Sequence, residues 1–478
     1  MRTYLLQSGT AKPLYEQLYR ALRRDIEQGL LAAGEKLPSK RKLAAHLKVS
    51  VVTVEGAYAQ LVAEGYLVAK PKSGYFVAPD GLAALPQPFP ALPGQTERPS
   101  DTGGGAEPVA ALLDFRTNRV DTDHFPFYTW AKLMREVLAE KSSALLKATD
   151  PQGIRPLREE IARFLSNYRG IAADPEQIVV GAGSEYLTGL IIQLLGRGSG
   201  YGVEDPGYPK LRQILSANGA RPIPLPMDHS GLCPHSLAQA EVGAVHVTPS
   251  HHFPLGVVMP VGRRLALLRW AEERGRYLIE DDYDSEFRFS GRPIPALKSL
   301  DASGSVVYLN TFTKSIAPSL RIGFMVLPPR LLARYRRELR FYSSTVPSFE
   351  QYALAKFMAS GQFERHIARM RTLYKGRRDA LISALNTHCP TGGIELHGKE
   401  AGLHMLMRVH NGMDEAQLVA AAAEQGVGVS GLSTYYINRS RCPGSTVVVG
   451  YAGLDTVELQ RAAQCLYRAW FSPRGTTK

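Results

Sequence analysis

Cysteine is scarce in this sequence of 478 residues: Cys233, Cys389, Cys442 and Cys465 lie far apart and form no CxxC pair. That excludes a disulfide framework and gives no sign of a zinc site, so the four read as small packing residues. Long apolar runs are missing as well, and none approaches the roughly 20 residues that a membrane span requires. The opening "MRTYLLQSGTAKPLYEQL" lacks the apolar core and cleavage site of a signal peptide, so a cytoplasmic protein without membrane contact is expected. No internal repeat is visible.

What is present is a globular composition, 44% hydrophobic, in a chain long enough for two or three domains. The net charge is +13, which points to a polyanionic partner. The charge is concentrated at one end. Residues 1–78 hold seven lysines and five arginines against one aspartate and five glutamates, a surplus of six in about a sixth of the chain.

The same end has a recognisable order of elements. "LYEQLYRALRRDIEQ", residues 14–28, places Leu14, Leu18, Leu22 and Ile26 at helical spacing before a stop at Gly29. Ser39 can cap a short helix "KRKLAAHL", the turn "KVS" leads to a second cap at Ser50, and "VVTVEGAYAQLVAEG" gives a longer helix ending at Gly65. Two β-like runs, "YLVAK" and "YFVAP", flank "PKSG" and read as a hairpin. Helix, helix-turn-helix and hairpin are the parts of a winged helix-turn-helix, expected over residues 1–78.

"LPSKRKLAAHLKVSVVTVEGAYAQLVAEGYLVAKPKSGYFVA" resembles the DNA-binding domain of GntR-type regulators, and the match runs over nearly all of residues 12–78. The resemblance implies double-stranded DNA as partner. Contacts are expected from Ser39, Arg41 and Lys42 at the first cap and helix, from Ser50, Thr53 and Tyr58 on the recognition helix, and from Lys70, Lys72 and Ser73 in the wing. Short polar side chains at helix starts suit phosphates, Thr53 suits a thymine methyl or base edge, and the wing lysines suit salt-sensitive phosphate contacts. Val51 and Glu55 depart from the pattern, standing where the family usually offers arginines.

Residues 79–111, "PDGLAALPQPFPALPGQTERPSDTGGGAEPVAA", are rich in Pro, Gly and polar residues and read as a flexible linker. From 112 to 478 the pattern becomes α/β: β-branched runs such as "QIVVGAG", "AVHVTPS", "RYLIEDDYD" and "SVVYLNTF" alternate with helical stretches. This predicts a mainly parallel sheet covered by helices, with ligands bound outside the carboxyl ends of its strands.

Four strand-end loops carry the residue types that one phosphorylated ring would need. "GAGSEYLTGL" opens a helix with two glycines and a serine, offering backbone N–H groups to a phosphate. "EDPGYP" holds Tyr208 between prolines, a flat ring able to stack, and "LIEDDYD" ends a strand in carboxylates and Tyr283. "NTFTKSIAPSLRIGF" places Lys314 after Thr313 in an apolar stretch, with Arg321 seven residues on. A lysine there is costly unless its charge is paired, lost or consumed in a covalent bond. Each loop alone has an ordinary reading: a strand-to-helix turn, a packed aromatic, a turn-capping aspartate, a lysine reaching solvent. All four in order at strand ends are not easily separate accidents.

Together they resemble the fold type I aminotransferases, and more closely the MocR family, in which such a module follows a GntR-type winged helix. "TPSHHFPLGVVMP", "IEDDYDSEFRF" and "TFTKSIAPSLRIGF" carry that closer resemblance, which covers about nine tenths of the chain. It implies a mainly parallel sheet with a smaller C-terminal α+β subdomain, and pyridoxal 5'-phosphate as cofactor. Lys314 then resembles the lysine bonded to it, Asp281 or its neighbour Asp282 the partner of the pyridine nitrogen, Tyr283 that of the ring oxygen, and Tyr208 the stacking residue. Gly183, Ser184, Glu185 and Arg321 resemble the phosphate shell, with Thr313 beside them. The loop "SHHFPLG" replaces an aminotransferase Asn-Pro-x-Gly and offers His252.

One departure bears on function. Aminotransferases present an arginine to the substrate carboxylate in a segment of the type LRLGF, and here "TVVVGYAGL" puts Val448 at that place. Arg439 and Arg441 lie just upstream. Loss of a bidentate carboxylate clamp argues against an ordinary amino-acid substrate. The resemblance therefore implies a transcription regulator with negligible turnover, a head-to-tail homodimer on paired DNA half-sites. Its effector is expected to be pyridoxal phosphate, as in PdxR-like members that control vitamin B6 synthesis or salvage; the alternatives are an amino compound such as γ-aminobutyrate or taurine, or an active aminotransferase.

Overall fold

The computed structural model describes residues 2–4, 6, 13–70, 73–78, 113–116, 119–140, 143–289 and 294–472. The expected linker at 79–111 and the wing residue Lys72 lie outside the described residues. The chain divides into two compact units, Met1–Ala106 and Glu107–Lys478.

In the small unit α1 (Leu14–Glu27) buries Leu18, Leu22 and Ile26, the stripe that its helical spacing dictates. Ser39 caps α2 (Lys40–Leu47), its hydroxyl accepting from the Lys42 N–H at 3.3 Å. Ser50 caps α3 (Val51–Ala63) in the same way through Thr53 N–H at 3.1 Å. Strands β1 (Leu67–Lys70) and β2 (Gly74–Val77) pair antiparallel, Leu67 facing Val77 and Lys70 facing Gly74. The described residues hold the three helices and the paired strands of a winged helix-turn-helix.

One expectation is corrected here. Tyr58 does not face DNA: it is fully buried, its hydroxyl donating to the Pro38 carbonyl at 2.9 Å and its ring meeting Tyr75 edge-on at 4.9 Å. Val54, Ala57, Tyr58 and Leu61 share the inward stripe of α3, so the residue is a packing post between α2's cap and the wing. Arg41, Lys42, Ser39, Ser50, Lys70 and Ser73 are exposed and Thr53 is half-buried.

The large unit opens with β3 (Leu113–Asp114), α4 (Phe127–Glu140) and α5 (Arg155–Arg169). A strand–helix alternation follows through β4 (Ile178–Gly181), α6 (Ser184–Leu195), β5 (Gly200–Asp205), α7 (Pro209–Ala217) and β6 (Arg221–Asp228). It continues through β7 (Gly231–Leu232), α8 (Pro234–Gln239), β8 (Val242–Val247), α9 (Val261–Arg274), β9 (Tyr277–Asp281), β10 (Val306–Thr311) and β11 (Gly323–Val326). These strands form one sheet in the order β4-β11-β10-β9-β8-β5-β6-β7. The pairs from β10 to β6 are parallel, while β11 runs against both its neighbours.

Alternation along β10 shows how the sheet is covered. Val307 and Leu309 pack with Leu187, Leu190 and Ile191 of α6, while Tyr308 packs on the other face with Leu157 and Ile161 of α5. Helices on both faces make these strands apolar along most of their length, with the polar residues gathered toward their carboxyl ends. The carboxyl ends of β4, β5, β8, β9 and β10 therefore open on one edge. The start of β11 joins them, since Gly323 pairs with Thr311 and Gly181.

Beyond α10 (Pro329–Glu338), α11 (Ser348–Ala359) and the long α12 (Gln362–His388) comes a smaller α+β layer. It contains β12 (Ile394–His397), β13 (His404–Val409), α13 (Glu415–Glu424), β14 (Val427–Gly428), β15 (Ser430–Gly431), β16 (Thr446–Gly450) and α14 (Thr456–Phe471). Its antiparallel sheet runs β12-β13-β16-β15. A feature not foreseen is that β3 pairs in parallel with β14, so the first described strand of the large unit belongs to this layer. Among the described residues no helix is long and apolar enough to cross a membrane.

Candidate cofactor site

A cavity of about 280 Å³ opens at the carboxyl edge of the large sheet, lined by Ser184, Glu185, Tyr208, Asp281, Tyr283, Thr313, Lys314 and Arg321 among others. Eight residues singled out from sequence thus meet in one place, drawn from the ends of β4, β5, β9 and β10 and the approach to β11.

The two neighbouring aspartates part company at the end of β9. Asp281 reaches the cavity; one carboxylate oxygen, Oδ2, lies 3.3 Å from His246 Nε2, and Oδ1 is buried with no hydrogen-bond partner. Asp282 points below, where its Oδ2 accepts from Arg169 Nε at 2.7 Å and from the Tyr308 hydroxyl at 2.5 Å. Arg169 itself donates onward to Ser250 Oγ at 2.6 Å. Asp282 is committed through Oδ2 to a buried ion pair, its Oδ1 buried without a partner as well, and of the two only Asp281 lines the cavity.

Lys314 stands just beyond β10. Burial lowers its ammonium pKa to about 8, against the pull of the Asp284 carboxylate, which raises it. Much more of the nucleophilic free amine is present at neutral pH than for a lysine in water. Tyr283 is driven the other way: burial and the carboxylates of Asp284 and Asp281 hold its phenol protonated. Its hydroxyl lies 3.2 Å from His251 Nδ1. Tyr208 precedes α7 and lies edge-on to Phe253 with ring centres 6.1 Å apart.

At the start of α6, Gly183 has φ 85°, a conformation that favours glycine. A Cβ there would stand 3.4 Å from the Arg321 guanidinium, so the glycine also lets the arginine lie close across the helix start. Gly183 is a floor under Arg321 rather than part of the lining. Arg321 Nη2 donates to Glu185 Oε2 at 3.0 Å, and Lys210 Nζ donates to Glu185 Oε1.

His252 is a second correction. Its ring is fully buried, Nε2 3.4 Å from Glu204 Oε2 and Nδ1 accepting from the Leu255 N–H at 3.4 Å, and it does not line the cavity. The next residue, Phe253, does. Sequence reading also missed Glu204, His246, Asp284 and His404, all in the lining. Burial pushes Glu204 up to about 7 despite hydrogen bonds from Thr248. Asp284 Oδ2 lies 2.9 Å from His251 Nδ1, and His404 Nε2 donates to the Pro254 carbonyl at 3.1 Å. The available signal was position: Glu204, His246 and Asp284 sit at or next to strand ends already in view.

Comparison with known proteins agrees with both units. Residues 14–77 match the family "Bacterial regulatory proteins, gntR family" and residues 110–466 match "Aminotransferase class I and II". The chain is 38% identical to the uncharacterized HTH-type transcriptional regulator YhdI of Bacillus subtilis, over 98% of each chain. It is 33% identical to the probable rhizopine catabolism regulatory protein MocR of Rhizobium meliloti, covering 96% of this chain and 94% of that one. It is also 36% identical to the HTH-type pyridoxine biosynthesis transcriptional regulator PdxR of Corynebacterium glutamicum, over 88% of each. The chain belongs to the MocR family of transcription regulators.

For a MocR-family protein the wall behind Phe253 is informative. Val448, in the middle of β16, is fully buried in a cluster with Leu406, Leu432 and Tyr435, against which Phe253 packs. Arg439 and Arg441, considered as substitutes, are exposed and outside the cavity lining. Their loop is tied down from the other side: Asp205 accepts from the Ile437 and Asn438 N–H groups at 2.7 and 3.3 Å.

Proposed function

We propose that this MocR-family regulator binds pyridoxal 5'-phosphate at Lys314 and that occupancy by pyridoxal phosphate is the signal it relays to DNA, in control of vitamin B6 synthesis or salvage. The observation that carries the reading is Asp281 Oδ1, a buried carboxylate oxygen without a partner, in the same cavity as a lysine of lowered pKa, the Tyr208 ring and the side chains of Ser184, Lys210 and Arg321. These residues fit the cofactor. When bound, the group supplies an electrophilic carbonyl carbon and an electron-withdrawing pyridine ring.

The chain's own residues supply the rest. Lys314 offers the neutral amine, and Asp281 accepts a proton-bearing ring nitrogen. Tyr283 stays protonated and donates to an oxygen. Tyr208 offers a ring face. Ser184, the N–H groups opening α6 and Arg321 receive the phosphate, with Thr313 at the margin. The apolar cluster around Val448 gives no guanidinium to a substrate carboxylate, which favours sensing over turnover. A relative named for regulation of pyridoxine biosynthesis, alike over most of both chains, supports the choice of effector.

DNA is read, on this proposal, through Ser39, Arg41, Lys42, Ser50, Thr53, Lys70 and Ser73, in a head-to-tail homodimer that binds two half-sites. Gel shifts test this. Arg41→Ala should weaken binding, and altering half-site spacing by about 5 base pairs, half a helical turn, should disrupt it. A footprint upstream of neighbouring genes, with and without pyridoxal phosphate, tests the effector. An unchanged footprint rejects pyridoxal phosphate as the signal, and a response to γ-aminobutyrate or taurine instead moves the reading to an amine sensor.

A further inference from the structure

The corner of the cavity that would take a phosphate already contains an anion. Glu185, in the first turn of α6, accepts from Arg321 Nη2 at 3.0 Å and from Lys210 Nζ at the start of α7. The same three side chains line the cavity beside Ser184 and Tyr208. They are half open to solvent, with exposures of 35% for Glu185, 49% for Lys210 and 50% for Arg321. Both cations a phosphate would seek are thus engaged by one carboxylate, each on a different oxygen.

We infer that Glu185 is a built-in competitor for the phosphate, so that capture of the phosphate ester is an exchange in which Arg321 and Lys210 leave Glu185 for the ligand. The inference rests on the reading that pyridoxal phosphate binds here. It makes loading reversible and tunes its affinity, as a sensor of the free cofactor requires.

Charge counting supports it. Glu185, Lys210 and Arg321 sum to one positive charge, and a phosphate ester brings about −1.5 to −2, leaving an excess negative charge at the corner. With glutamine at 185 the cations sum to two and the phosphate balances them. The Lys210 hydrogen bond, and after it that of Arg321, hold the Glu185 carboxyl below the ordinary range, so it remains charged at any pH at which the protein would be assayed. A carboxylate is also favoured at the N-terminus of α6 by the helix dipole, which gives Glu185 a reason to stay and the phosphate the same reason to replace it.

The test is equilibrium titration of cofactor-stripped full-length protein with pyridoxal phosphate and with pyridoxal, read by absorbance of the covalent adduct, with inorganic phosphate as a competitor. Glu185→Gln should bind pyridoxal phosphate about tenfold more tightly, the effect of one charge removed at a partly exposed site, and inorganic phosphate should inhibit at correspondingly lower concentration. Pyridoxal, lacking the phosphate, should bind both proteins equally. Glu185→Ala, as a second variant, should show the same gain. Unchanged or weaker pyridoxal phosphate binding in both variants overturns the inference, the weaker result meaning that Glu185 orients the two cations. A gain shared by pyridoxal overturns it too. If the wild-type protein forms no adduct at all, the reading of the cofactor site falls and the inference falls with it.

Discussion

Toward β9 and β10 the cavity presents Asp281, Tyr283, Lys314 and Arg321, each a group that can be charged or donate a hydrogen bond. Toward β16, Phe253 closes it with Val448, Leu406, Leu432 and Tyr435 packed behind. An aminotransferase needs both walls polar, one for the cofactor and one for the substrate carboxylate. Here the first is furnished, and the second is apolar apart from His404, whose ring packs on Phe253. On the function proposed above, the difference separates holding a cofactor from processing an amino acid, and it is open to attack from either wall.

The largest effect is expected from Lys314→Ala, which should abolish the borohydride-fixed adduct of pyridoxal phosphate altogether, checked by mass spectrometry of the intact chain. An adduct surviving on another lysine would remove Lys314 from the polar wall. Next in size is turnover. Stopped-flow spectra with alanine, glutamate and aspartate should show no rapid conversion of the cofactor to its amine form, because Val448 offers no charge to the carboxylate. Fast conversion by any of the three would mean that the wall around Val448 is not where substrates dock, and would erase the contrast.

The two aspartates at the end of β9 sharpen it further. Asp281→Asn should weaken pyridoxal phosphate binding by about a hundredfold, the scale of a charge-assisted hydrogen bond in a largely buried site, and leave thermal stability nearly unchanged. Asp282→Asn should do the reverse. Arg169 and Asp282 are both buried, and stranding one partner of such a pair costs about 3–5 kcal/mol. Titration and thermal unfolding of the two variants read both effects, and an exchange of the two outcomes would reassign the cofactor's partner.

Much of this geometry was legible in the sequence, and the exceptions have physical reasons. Strand-end loops could be found because β-branched runs stop at them, and their residue types said which chemistry to seek. Choosing between Asp281 and Asp282 could not be done that way: adjacent strand residues face opposite sides, and period two does not say which side is the cavity until Arg169 arrives from α5. His252 lies in the loop after β8, where no periodicity says which side chain turns inward. Its ring turned to Glu204, 48 positions earlier, and Phe253 took the lining. Tyr58 lies on α3 at a spacing that suits either face, and Val54, Ala57 and Leu61 decided for the core. The Glu185 engagement needs Lys210 from the next helix and Arg321 from beyond β10, contacts that only the sheet order creates.

The smallest expected effect concerns protons on the polar wall. With a pKa of about 8 for Lys314 in place of the ordinary 10.5, roughly a tenth of the amine is neutral at pH 7 and roughly nine tenths at pH 9. The rate of adduct formation should therefore rise about tenfold over that interval and level off above it. The sign follows from burial, which disfavours the ammonium; a lysine in water would keep rising past pH 10. The same shift links to stability. The unfolded chain holds this proton up to about pH 10 and the folded chain releases it near 8, so folding should gain stability as pH rises between them. Asp284 opposes the shift, its carboxylate favouring the ammonium. Asp284→Asn should accordingly move the kinetic midpoint below 8, toward lower pH. A midpoint that stays put, or moves up, would mean that the charge of Asp284 is spent on His251, 2.9 Å away, and that burial alone sets the reactivity of Lys314.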